Sequence, residues 1–134
     1  MINFADLFNE NYQYSLKNID YKLLTSSPLS TNVEISIKDN ISYEIKNNIE
    51  FVLLVDRKIS FEPNQLYELS VCFSANLTIK DTEKIRNVTW DEELKSNPVL
   101  LNIIQGLLSR ISMLIAQVTS SYGQNPLVTP PNII

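Results

Sequence analysis

The chain has no histidine, two glycines and one cysteine among 134 residues. Without histidine, imidazole acid–base catalysis, Ser-His-Asp and Cys-His nucleophile sets and most zinc sites are excluded. With only Gly106 and Gly123 available, neither a P-loop nor a dinucleotide fingerprint fits. Cys72 alone allows no intrachain disulfide, which points to a reducing compartment and a cytoplasmic protein. The opening MINFADLFNE lacks the apolar core of a signal peptide. Lysine and arginine are outnumbered by acids, 11 to 15, giving a net charge of -4. No basic cluster offers itself to nucleic acid or to an anionic membrane. No cofactor or metal set is apparent; Asp91, Glu92 and Glu93 suit a helix N-terminus. In a cytosolic chain the glycosylation patterns at Asn76 and Asn87 carry no meaning. These absences favour a binding protein over an enzyme.

What is present is long, regular alternation. The odd positions from 33 to 45 are Val33, Ile35, Ile37, Asp39, Ile41, Tyr43 and Ile45, with polar residues between them. From 67 to 79 every odd position is apolar, and 51 to 61 gives Phe51, Leu53, Val55, Arg57, Ile59 and Phe61. Period two over such lengths predicts half-buried strands. A loop at 46–48 places Ile45 opposite Ile49, and a loop at 63–65 places Phe61 opposite Tyr67. Both keep odd facing odd, so the three strands form an antiparallel meander with one apolar face. In this register Arg57 faces Ile37 and has Asp39 as its diagonal neighbour, either a structural ion pair near the sheet margin or a polar contact in a binding surface. An earlier strand spans 12–24, with a phase slip at Lys17-Asn18 that predicts a β-bulge; the TSSPLSTN that follows is a loop.

After Lys80 the pattern becomes helical. Ile85, Val88 and Trp90 mark a connector, and DEELKS a helical turn. Asn97 caps a longer helix with Pro98 in its first position and Gly123 as its stop. Its apolar stripe is Leu100, Ile104, Leu107, Leu108, Ile111, Leu114, Ile115 and Val118. The stretch 99–122 carries too many polar residues for a membrane span, so insertion is not expected. Ser109, Ser112, Ala116 and Ser120 form a second, small-residue face suited to an oligomer interface. Val52 and Leu54 break the alternation of their strand and point away from the helix side, to be covered by another subunit or left for binding. With Trp90, Val99 and Leu101 they are the candidate polypeptide-binding residues. The tail LVTPPNII is too apolar to float and should lie along the body or a neighbouring subunit.

The order of these elements resembles the SecB family of export chaperones. The long helix opens on Asn97-Pro98, and Leu127, Pro130 and Asn132 match the family's tail. FVLLVDRKISFEPNQLYELSVCFSANLTI resembles its third and fourth strands, and YSLKNIDYKLLTSS its first. The resemblance runs from about residue 12 to 134. It implies an α+β fold in one domain, residues 1–134, with a four-stranded antiparallel sheet and a short and a long C-terminal helix on one face. It further implies a homodimer or homotetramer and ATP-independent capture of unfolded polypeptides in apolar grooves. Ser74, Ala75 and Asn76 stand where the family has glycines. The acidic patch for the SecA motor is thin here, with Asp20, Glu34, Glu44 and Glu68 nearest, and no polar extension follows Ile134. SecA is therefore a doubtful partner. An adaptor dedicated to one protein, as in a toxin–antitoxin pair or a phage-borne system, is the alternative.

Overall fold

The computed structural model describes residues 2–25, 33–121 and 125–133; the readings of 26–32 as loop and of Gly123 as helix stop lie outside them. A short helix α1 (Phe4–Leu7) leads into β1 (Phe8–Leu23), β2 (Glu34–Lys46), β3 (Glu50–Glu62) and β4 (Tyr67–Ile79). A 3₁₀ turn at Lys84–Asn87 precedes α2 (Trp90–Ser96) and α3 (Pro98–Ser121). The sheet is antiparallel throughout, in the order β1-β4-β3-β2.

The expected register holds between β3 and β4, where Ile59 faces Leu69 and the Phe61 and Tyr67 rings meet edge-on. Between β2 and β3 it is displaced by one pair. Ile45 faces Phe51, and Asp39 lies directly across from Arg57 rather than diagonal to it. The cause is the turn. Asn47 and Asn48 both adopt left-handed backbone, φ 53° and 55°, and the Ile49 N–H donates to the Lys46 carbonyl at 3.0 Å. Asparagine tolerates that conformation, and paired left-handed residues match the twist of a hairpin. Moving the turn by one residue keeps the parity, so the odd face stays the helix-facing one.

β1 pairs with β4, with an irregularity between Leu16 and Asn18 where the phase slip predicted a bulge. The strand begins at Phe8, earlier than the expected residue 12. A second irregularity between Phe8 and Tyr12 erases the period through Asn9–Asn11, while the Phe8 side chain is buried.

α3 lays its stripe across the sheet. Leu100, Ile104, Leu107, Leu108, Ile111, Ile115 and Val118 are buried as expected, together with Ile103; Leu114 is half-buried. By length and composition alone α3 passes for a membrane span. Its buried stripe accounts for that composition, as in any core helix. Thr119 is also buried, its hydroxyl donating to Ile115 O (2.8 Å) and accepting from the Leu127 N–H (2.9 Å). Gly106 admits the Tyr14 ring of β1, into whose hydroxyl a Cβ would run, and the Arg110 guanidinium lies 3.8 Å from that ring's centre.

Asn97 caps α3 as expected. Its Oδ1 accepts from the N–H groups of Val99 (3.1 Å) and Leu100 (3.4 Å), while its Nδ2 donates to Glu93 Oε2 (3.0 Å) and Ile2 O (3.3 Å). Glu93 Oε1 accepts in turn from the Ile2 N–H (3.0 Å), tying the N-terminal segment to the α2–α3 elbow. Asn97→Ala removes both functions from a buried position and is expected to cost about 2 kcal/mol. Urea unfolding with an unchanged slope checks it; a midpoint equal to the wild type would contradict the cap.

Candidate polypeptide-binding groove

An α-helix with its side chains is about 10 Å across, and neighbouring strands lie about 4.8 Å apart. One long helix therefore covers about two strands of four. α3 packs on β3 and β4, the central pair. The helix-facing residues of the outer strands are left partly bare: Tyr12, Leu16, Ile19 and Leu23 on β1, and Ile35, Tyr43 and Ile45 on β2.

On the β2 side this bare strip meets the α2–α3 elbow. A cleft of about 510 Å³ is lined by Ile41 of β2, Asp91, Leu94 and Lys95 of α2, Leu101 of α3 and Ile133 of the tail. Beyond Leu101 and Ile133 it continues as a smaller cleft of about 210 Å³ against Ile104, Leu108, Pro131 and Asn132. The walls are apolar, and Asp91 and Lys95 bring one charge of each sign.

One helix-facing position past Ile41 on β2, Tyr43 joins an aromatic cluster. Phe51 sits between Phe8 (5.4 Å between centroids), Tyr43 (5.5 Å) and Trp90 (4.5 Å). Tyr43 stacks on Phe51 and is 36% exposed, so it presents the cluster to solvent. The buried Trp90 indole N–H has no hydrogen-bond partner among the described residues.

One helix-facing position before Ile41 on β2 lies a buried ion pair. Arg57 is fully buried and holds Asp39 through Nε–Oδ1 (2.7 Å) and Nη2–Oδ2 (2.8 Å), the side chain of Asp39 being 1% exposed. The remaining guanidinium N–H groups go to the tail and to Ser112 of α3. Nη1 donates to Thr129 Oγ1 (3.0 Å), Pro130 O (2.6 Å) and Ser112 Oγ (3.2 Å), and Nη2 donates to Asn132 O (2.9 Å). Of the two readings of Asp39 and Arg57, the structure shows an ion pair that is also a polar anchor. It joins β2, β3, α3 and the tail; Asp39 belongs to the edge strand, as expected of a pair near the sheet margin, yet both side chains are buried. The tail lies along the body, as its composition required.

The sequence candidates are dispersed. Leu101 lines the groove, and Trp90 packs against Tyr43. Val99 is exposed but belongs to a separate cleft beside Ile2, Phe4 and Pro98. Val52 and Leu54 point to the far face of the sheet, as expected. Val52, flanked by Glu44 and Asn76, is 1% exposed within this one chain, and Leu54 is half-buried. Of the small-residue face, Ser112 is engaged by the tail, Ser109 and Ala116 are half-buried, and Ser120 is exposed. Ile41, Tyr43, Leu94 and Ile133 escaped the sequence reading as groove residues. The one available signal was that a single long helix cannot roof four strands.

Cys72 lies on the far face, and desolvation, aided by the nearby Asp56 charge and opposed by Lys17, pushes its thiol above the ordinary range. At pH 7 less of it is thiolate, so alkylation by iodoacetamide should be slower than in the unfolded chain and should accelerate only at higher pH. Equal rates in folded and unfolded protein would contradict this placement.

No family model and no curated protein matches the chain. Among solved structures it is similar to the SecB-like chaperone Rv1957 of Mycobacterium tuberculosis, solved in complex with a ChAD peptide from the antitoxin HigA1. The two share 14% identity over 89% of each chain, with a TM-score of 0.63. An antiparallel four-stranded sheet carrying a short and a long helix on one face, matched at that score across nearly the whole length, is the SecB-like fold.

Proposed function

We propose that this protein is a SecB-like, ATP-independent holdase that takes extended apolar segments of non-native polypeptides into the groove beside β2. The observation that supports the reading most is the pairing of an open edge strand, thirteen residues long, with a row of partly exposed apolar side chains and an apolar cleft next to it. An extended client adds to the edge through its main chain and places alternate side chains in the cleft. Each contact is weak, and several along one chain add up. The protein works as a homo-oligomer in the cytoplasm, with the small-residue face of α3, around Ser109, Ala116 and Ser120, as a subunit contact. Leu54, half-buried on the far face, provides a second place for subunit or client contact.

The test is light scattering of a chemically unfolded model protein diluted with and without this one. Suppression at near-stoichiometric ratio without nucleotide is expected. Tyr43→Ser with Leu101→Ser, both at partly exposed positions, should weaken client binding roughly thirty-fold, about 2 kcal/mol of lost apolar contact. Unchanged suppression by that variant would remove the groove from the account.

A second reading is a dedicated adaptor for one protein. It is favoured by the similar M. tuberculosis protein, which was solved holding a peptide from one antitoxin. Tight binding to a single native partner, with no effect on unfolded chains, would establish it instead.

A further inference from the structure

The tail runs along the groove, and its Ile133 lines both clefts where they meet. Residues 125–133 carry no helix or strand, and the first part of the segment is fixed by Leu127 on Thr119. Arg57 then reads Thr129 Oγ1, Pro130 O and Asn132 O, and Ile133 comes down beside Leu101 between the two clefts. Asp39 and Ile41 are successive helix-facing residues of β2. The polar anchor and the apolar cleft are thus consecutive stations along one strand.

The chemistry of these stations specifies an occupant. Asp39 already neutralises Arg57, so the guanidinium has no call for an acidic ligand and wants neutral acceptors. Its N–H groups are buried and must be matched, so whatever replaces the tail has to bring unpaired carbonyls. A chain in a helix or sheet has spent its carbonyls, whereas an extended one has not. Proline holds a segment extended and has no N–H to orphan against the roof of the groove. An aliphatic side chain four residues past the hydroxyl fills the position beside Leu101.

We propose that the groove prefers extended, proline-containing neutral segments patterned as this chain's own tail, a hydroxyl residue followed by a proline carbonyl, a second free carbonyl two residues on and an aliphatic end, and that the tail is the resident occupant such a segment displaces. This rests on the reading of the groove as a polypeptide site. The tail is then a built-in competitor that sets how well a client must fit.

The probe is a labelled peptide NPLVTPPNI, titrated by fluorescence anisotropy against the full chain. The wild type should bind it weakly. A full chain carrying Thr129→Ala and Ile133→Ser, whose own tail is loosened, should bind it tenfold or more tightly. Ile133→Ser alone, at a half-exposed side chain on which folding does not depend, should give a smaller gain in the same direction. The same peptide ending in serine instead of isoleucine should lose most of the gain, and an unfolded model protein should compete the labelled peptide off. Equal affinity for wild type and both variants overturns the proposal, as does a peptide that stays bound while the unfolded protein binds. If the unfolded protein binds but the peptide binds no variant, the inference fails and the groove reading stands. If neither binds, both fall.

Discussion

Replacing Arg57 by methionine lowers folding stability by about 3–5 kcal/mol, because it leaves the Asp39 carboxylate buried without its countercharge. The guanidinium is fully buried and makes a bidentate pair with Asp39. Asp39→Leu should cost a similar amount by stranding the opposite charge. Changing both together should be milder than either alone by about 2 kcal/mol, since no uncompensated charge remains. What is left of the loss belongs to Ser112, Thr129 and the two tail carbonyls, which lose their donor. Urea denaturation of the three variants measures this cycle. Because the pair is out of water, its contribution should change little between low and moderate salt, unlike a surface pair. A loss below about 1 kcal/mol for Arg57→Met would mean that the anchor is solvated in solution.

Phe51→Ala is expected to cost about 3–5 kcal/mol, the usual toll for emptying a buried aromatic site. Phe51 touches Phe8, Tyr43 and Trp90 at once, so the cavity opens where β1, β2 and the α2 start converge. Trp90 is the one tryptophan in the chain and reports directly on that place. Its emission should shift to the red in the folded variant as water reaches the ring. Phe51→Leu keeps most of the volume and should cost far less. The alanine variant should also weaken the groove, because Tyr43 loses the ring on which it stacks. A stable alanine variant with unshifted emission would show that the neighbours collapse into the gap.

The sheet was legible because its alternation runs for a dozen residues per strand and a slip of one would have turned Val33–Ile45 or Tyr67–Ile79 inside out. The bulge at Lys17 showed as a broken phase for the same reason. Asn97-Pro98 announced the start of α3 through cap chemistry. The displaced hairpin was less legible, since loops centred one residue apart preserve the same parity and only the backbone of Asn47 and Asn48 chooses between them. The groove was hidden by a different fact. Period two tells which way Ile41 and Tyr43 face, but not whether anything arrives to cover them. Val52 and Leu54 drew attention because they are apolar on the second face. On the inner strand β3, flanked on both sides, Val52 is already buried by its neighbours. The tail's place was foreseen from its composition, but not its grip on Arg57, because a contact between residues more than seventy positions apart leaves no local trace.

That separation has a consequence for how the protein is made. The tail acceptors for Arg57 lie 72, 73 and 75 positions downstream. At ordinary synthesis rates the arginine leaves the ribosome's active centre on the order of ten seconds before they do. During that interval the sheet has its strands, and Asp39 is already present, but several N–H groups of the guanidinium have nowhere dry to go. The arginine stays wet, and the apolar face around it stays open. Only the arrival of Thr129 to Asn132 lets water leave, so a segment made long after the arginine is the one that closes the core.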